Sequence, residues 1–174
     1  TTIGESAVSV SFAAVELARE IFGSLNGCGV LLIGAGKMSE LAARHLHRSG
    51  ANRIYVTNRT RARAEEMAAL FNGKIVDYGT FIDAMPEIDI VIASSGAPHY
   101  ILTEAQVRQI RAKRKGRPLF FIDIAVPRNI EPSVNSLENV FLYDIDDLGR
   151  VVEQNRKGRE AEAAAAARRL SRST

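Results

Sequence analysis

Between Cys28 and Gly50 an uninterrupted apolar run, GVLLI, passes at once into Gly34-Ala35-Gly36-Lys37-Met38-Ser39 and then into LAARHLHRSG. A continuous apolar run is what a strand carries when both faces of its sheet are covered. Leu41, Ala42 and Leu46 then recur at helical spacing up to Gly50, so the segment predicts a strand, a glycine turn and a helix. The turn has the form G-x-G-x-x-S. Its first glycine permits the tight bend, its second lets the backbone approach a pyrophosphate, and the helix amino end beyond offers unpaired N–H groups to an anion. Ser39 replaces the usual third Gly or Ala, and its hydroxyl is expected to load the helix–strand crossing and shift the helix slightly.

The pattern then repeats. RIYVTN reads as a strand, RARAEEMAALF as a helix stopped at Gly73, KIVDY as a short third strand and IDIVIASS as a buried fourth. TEAQVRQIRAKRK opens on Thr103, a cap residue, and predicts another helix, and PLFFIDIAV and NVFLYDI supply two further strands. Apolar strands alternating with helices define a doubly wound α/β fold: a mostly parallel sheet of about six strands with helices on both faces. A leading helix precedes it, with Val8, Phe12, Val15, Leu17, Ile21 and Phe22 near helical spacing and Gly23 and Gly27 closing the segment. The chain thus divides into a leading helix (1–27), a nucleotide-binding domain (28–145) and the start of a connecting helix (146–174). The last of these turns polar and then alanine-rich, with high helix propensity but almost no large side chain to bury, as expected of a helix that packs on something else.

Composition narrows the function classes. With 46% apolar and 25% charged residues the chain is ordinary globular material. No stretch approaches a membrane span, and TTIGESAVSV lacks the order of a signal peptide, so a cytoplasmic protein is expected. The lone Cys28 excludes an internal disulfide, and the three scattered histidines lack the spacing of metal ligands, so no metal site is expected. The net charge of +3 resides in residues 156–174, which carry +4 and leave −1 for the rest, so charge alone does not predict DNA binding. A second basic cluster, Arg108, Arg111, Lys113, Arg114, Lys115 and Arg117, reads as a solvated helix end, with contact to an RNA backbone as the alternative.

Three further segments complete the candidate site. Asn58 stands where an NAD enzyme carries Asp or Glu for the ribose hydroxyls; with Arg59, Thr60 and Arg63 it offers hydrogen bonds and cations that suit a 2′-phosphate, which favours NADPH over NADH. Ser94, Ser95 and Gly96 close the fourth strand, where the carboxyl ends of parallel strands form the ligand crevice, and leave room for a ribose and a nicotinamide. In DIAVPR the backbone at Ala125 can border the nicotinamide, while Asp123 is expected to hold a neighbouring loop rather than act in catalysis. His99 and Cys28 lack a sequence-near partner, so neither is assigned a catalytic role. The cofactor-binding set is therefore Gly34, Ala35, Gly36, Lys37, Met38, Ser39, Asn58, Arg59, Thr60, Arg63, Ser94, Ser95, Gly96 and Ala125.

In order along the chain, SAVSVSFAAVELAREIFG, LLIGAGKMSELAARHL, VTNRTRARAEEMA, SSGAPHYIL, FIDIAVPRNIEP and LYDIDDLGRVVEQN resemble the central domain of the glutamyl-tRNA reductases. The glycine turn and NRT also occur in shikimate dehydrogenases, whereas DIAVPR with YDIDDL does not look like those enzymes. The resemblance implies a Rossmann-type NADPH domain serving the reduction of glutamate esterified to its tRNA, to give glutamate-1-semialdehyde for tetrapyrrole (porphyrin) synthesis. It also implies a thioester-forming cysteine in a separate catalytic domain within a Ser/Thr-Cys-Asn-Arg motif, which Asn26-Gly27-Cys28-Gly29 does not match. Glutamyl-tRNA would then be met through domains absent from this chain, and the intact enzyme would be a homodimer joined by a helical domain. A chain of this kind is expected to be inactive alone. Two alternatives stay open: the cofactor domain of a shikimate-dehydrogenase-like NADP oxidoreductase, and a nucleotide-sensing module without chemistry.

Overall fold

The computed structural model describes residues 2–173, with side chains from Ser6 onward; Thr1 and Thr174, the ends of the expected leading and connecting helices, lie outside the described residues. Six strands, β1 (Gly29–Ile33), β2 (Arg53–Thr57), β3 (Lys74–Ile75), β4 (Ile90–Ala93), β5 (Leu119–Asp123) and β6 (Val140–Asp144), form one sheet in the order β3-β2-β1-β4-β5-β6. Every pairing is parallel. The strand order reverses between β1 and β4, so a crevice opens beyond their carboxyl ends.

Strand residues alternate between two cores, as a period of two requires. Val30, Leu32, Ile90, Ile92, Phe120 and Ile122 join helices α1 (Thr2–Phe22), α2 (Lys37–Arg48) and α3 (Arg61–Phe71) on one face. Leu31, Ile33, Val91, Ala93, Leu119 and Phe121 meet α4 (Glu104–Lys113) and two 3-10 helices, Phe81–Glu87 and Pro132–Ser136, on the other. The link from β3 to β4 is the first of these 3-10 helices and not an α-helix.

Local signals account for the helix ends, with one correction. Thr103 caps α4 with a full capping box: its hydroxyl accepts from the Gln106 N–H while the Gln106 side chain takes the Thr103 N–H. At the end of α3 the left-handed residue is Asn72, at φ 50°, and not Gly73. Gly73 is required for another reason, since a Cβ there would lie 2.7 Å from the Ile54 carbonyl oxygen. Helix α5 (Ile145–Ser173) starts where β6 stops. Its first turns lie against the body, where Leu148 is buried, Val151 and Val152 pack on the core and Asn155 donates to Glu16; beyond Asn155 nearly every residue is exposed. No helix among the described residues is long and apolar enough to cross a membrane.

Candidate functional site

At the carboxyl end of β1 the Gly34 N–H donates to the Thr57 carbonyl, and the Ser94 N–H donates to the Ile33 carbonyl, which brings the ends of β1, β2 and β4 together. Gly34 has φ +104° and faces the backbone of Ser94 and Ser95, so a Cβ would sit 2.8 Å from the Ser94 carbonyl carbon. No side chain larger than hydrogen fits. Gly36 is the N-cap of α2 and carries no side-chain cap, which leaves the first N–H groups of that helix to an outside acceptor.

The Ser39 hydroxyl at the helix–strand crossing is taken up by two hydrogen bonds. Ser39 is wholly buried, its hydroxyl donates to the Gly36 carbonyl at 2.9 Å, and the Ser94 hydroxyl donates to it at 3.1 Å. The serine therefore ties the glycine turn to the β4 loop. A pairing 55 residues away in the chain carries no local signal.

Beyond β2, Asn58 donates to the Thr60 carbonyl, and Arg59, Thr60 and Arg63 are exposed. Arg61 is engaged with Glu65, but neither Arg59 nor Arg63 takes part in an ion pair among the described residues. Arg63, with Ala35, Lys37, Glu40, Glu66 and Met67, lines a cleft of about 420 Å³ between α2 and α3 beside the glycine turn. Arg59, which directly follows Asn58, is not among its lining residues.

The DIAVPR loop is built on Asp123. Its buried carboxylate accepts N–H bonds from Ala125, Asn129 and Ile130 at 3.2, 3.0 and 2.9 Å. Burial pushes this carboxyl above the usual carboxylate range, against those three N–H groups and the charge of Arg128. The role is structural, as expected. Ala125 is buried, while the neighbouring Val126 is 81% exposed beside the crevice. Arg128 donates to the Ala125 carbonyl and pairs with Asp144 and Asp146, so the DIAVPR and YDIDDL segments meet in space. Asn129, which sequence reasoning passed over, is completely buried, and its Oδ1 accepts the Ser95 N–H at 2.9 Å.

Cys28 falls away from the site. Cys28 precedes β1 at the opposite, amino end of the sheet, about 16 Å of strand from the crevice. Burial and the nearby Asp89 push its thiol up, which disfavours a thiolate. The basic run is not a uniform solvated face either. Arg114 is 0% exposed, pairs with Asp89 at 2.8 Å, and donates to the carbonyls of Pro86, Ile88, Arg117 and Pro118. Arg108 is held by Glu104, Arg111 donates to the Glu138 carbonyl, and Arg117 donates to the Pro86 carbonyl. His99 is exposed on the β4 loop.

A switch-point crevice with a glycine turn and an uncapped helix amino end defines a nucleotide-binding α/β domain of the Rossmann class. The shikimate/quinate 5-dehydrogenase family model matches residues 16–151, and the chain belongs to that family. That span takes in the DIAVPR and YDIDDL segments, which did not look like those dehydrogenases. Over 163 residues, 94% of this chain, it is 61% identical to a glutamyl-tRNA reductase of Solibacter usitatus, covering 39% of that protein. It is 53% identical to one of Geobacter sulfurreducens, covering 38% of it. The solved glutamyl-tRNA reductase of Methanopyrus kandleri superposes with a TM-score of 0.83 at 37% identity over 91% of this chain and 40% of that one. The chain thus spans about two fifths of the length of these relatives.

Proposed function

We propose that this chain is the NADPH-binding part of a glutamyl-tRNA reductase, a cytoplasmic enzyme that reduces tRNA-bound glutamate to glutamate-1-semialdehyde for tetrapyrrole synthesis. The observation that carries the cofactor choice is the ribose-reading corner beside the glycine turn. It holds Asn58 in place of a carboxylate and two arginines, Arg59 and Arg63, without ion-pair partners among the described residues. The turn itself suits a pyrophosphate: only glycine fits at Gly34, and a Cβ at Gly36 would come no closer than 3.6 Å to its neighbours.

When bound, NADPH supplies the hydride for reduction of an activated carboxyl to an aldehyde. The uncapped start of α2 would take the pyrophosphate, Arg59 and Arg63 the 2′-phosphate, and the Ser94–Gly96 and Ala125 loops would flank the nicotinamide. The same reading places the thioester-forming cysteine, the glutamyl-tRNA contacts and a homodimer interface in parts of the relatives that this chain does not span. The position of Cys28 supports that division. The same reading gives DNA no part in the reaction, and within the 108–117 run Arg108, Arg111, Arg114 and Arg117 are engaged within the fold.

Titrating wild type, Arg59→Ala and Arg63→Ala with NADPH and NADH tests the assignment. A hydrogen bond to a charged group contributes about 1.5–3 kcal/mol, so each arginine that reaches the phosphate should lower NADPH affinity about 10- to 100-fold and leave NADH nearly unchanged. Equal losses for both cofactors would refute it. The family match favours one second reading, a dehydrogenase of a small alcohol. Shikimate-dependent reduction of NADP⁺ by the whole protein would establish that reading instead.

A further inference from the structure

Among the described residues, two buried side-chain polar atoms lack a hydrogen-bond partner: Thr57 Oγ1 and Asn129 Nδ2. Both lie at the carboxyl end of the sheet, on opposite sides of the β1–β4 switch point. Thr57 closes β2 beside the Asn58–Arg63 corner, and Asn129 belongs to the loop after β5. A buried polar group without a partner is costly and uncommon in folded proteins, and a water, an ion or a ligand can supply what the chain does not.

The amide orientation of Asn129 follows from its neighbours. The Ser95 N–H can only donate, so the atom it meets at 2.9 Å must be the oxygen, and Nδ2 is the orphan. Both heteroatoms share one carbon, which puts Nδ2 next to the Ser94-Ser95-Gly96 turn. The residue is held from both sides: its N–H goes to Asp123, and its carbonyl accepts from Ile101 at 2.7 Å and Leu102 at 3.2 Å. One side chain thereby locks the loop after β4 to the loop after β5, and both loops flank the same part of the crevice.

We propose that Asn129 is a positioning residue for the nicotinamide half of the cofactor, its Oδ1 fixing the Ser95 turn and its Nδ2, closed off from solvent in this fold, donating to an acceptor oxygen on that half of the ligand once the adjoining loop shifts to admit it. This rests on the cofactor reading above. Asn129→Asp keeps an acceptor for the Ser95 N–H and removes the donor. It should weaken NADP⁺ and NADPH about tenfold or more while leaving 2′,5′-ADP, which carries only the adenosine half, unchanged. Retained 2′,5′-ADP binding also reports that the variant is folded.

An independent readout needs no variant. In ¹⁵N-labelled wild type the Asn129 side-chain amide signals should move on adding NADP⁺ and stay in place on adding 2′,5′-ADP. If NADP⁺ shifts the Gly34 and Gly36 backbone amides but not the Asn129 side chain, or if Asn129→Asp weakens both ligands equally or neither, the proposal is overturned and the cofactor reading stands. If neither ligand binds wild type, both fall.

Discussion

Arg114→Met separates a keystone from a surface charge within one basic run. Methionine keeps much of the side chain's length and apolar stem but removes the guanidinium. The change strips Asp89, whose side chain is 13% exposed, of its 2.8 Å partner, and leaves the carbonyls of Pro86, Ile88, Arg117 and Pro118 without this donor. Removing one partner of a buried ion pair costs about 3–5 kcal/mol, because the other charge stays buried and unpaired. Asp89 keeps the Gly29 N–H at 2.9 Å and two more distant cations, Arg53 at 3.7 Å and Arg117 at 3.9 Å, which argues for the lower part of that range. About 3–4 kcal/mol is therefore expected, a drop in Tm of roughly 6–16 °C for a domain of this size. Lys113→Met and Lys115→Met, at exposed positions, should stay within about 0.5 kcal/mol. Urea unfolding followed by circular dichroism measures all three. A loss below about 1 kcal/mol for Arg114→Met would refute the keystone argument.

Gly34→Ala should abolish cofactor binding and lower stability by at least about 1–3 kcal/mol, since its Cβ meets backbone under 3 Å away at a φ of +104°; unchanged NADPH titrations would count against the turn geometry. Asp123→Ala leaves three buried N–H groups without their acceptor and should cost at least about 2 kcal/mol, with faster hydrogen exchange at Asn129 and Ile130 as its local signature. His45 stacks on Phe12 and bonds Ser11 at 2.7 Å, and burial, then Arg48, pulls its imidazole below the ordinary value of 6.5. The unfolded chain then binds the proton more readily, so stability should hold above about pH 6.5 and fall as pH drops from there through the lowered folded value. His45→Gln should flatten that slope, and an unaltered pH profile of Tm would refute it.

The sheet was legible because its information is local. Strands buried on both faces need continuous apolar runs, helices need their stripe and cap, and a chain that must bend sharply under the β4 backbone needs glycine at Gly34. GVLLI, IDIVIASS, Thr103 and the glycine turn therefore announce themselves within a few residues, and the corner at Asn58, Arg59 and Arg63 does so by its position after β2. What only the tertiary structure decided are pairings between groups distant in the chain. Arg114 looks like its exposed neighbours Lys113 and Lys115 until Asp89, 25 positions earlier, sits against it. Ser39 looks like a misfit at the helix crossing until Ser94 hydrogen-bonds it, and Asn129 looks like a turn residue until the Ser95 N–H meets it across 34 positions. Burying a polar or charged group is unfavourable until its partner arrives, and periodicity carries no record of a partner that folding alone brings within 3 Å.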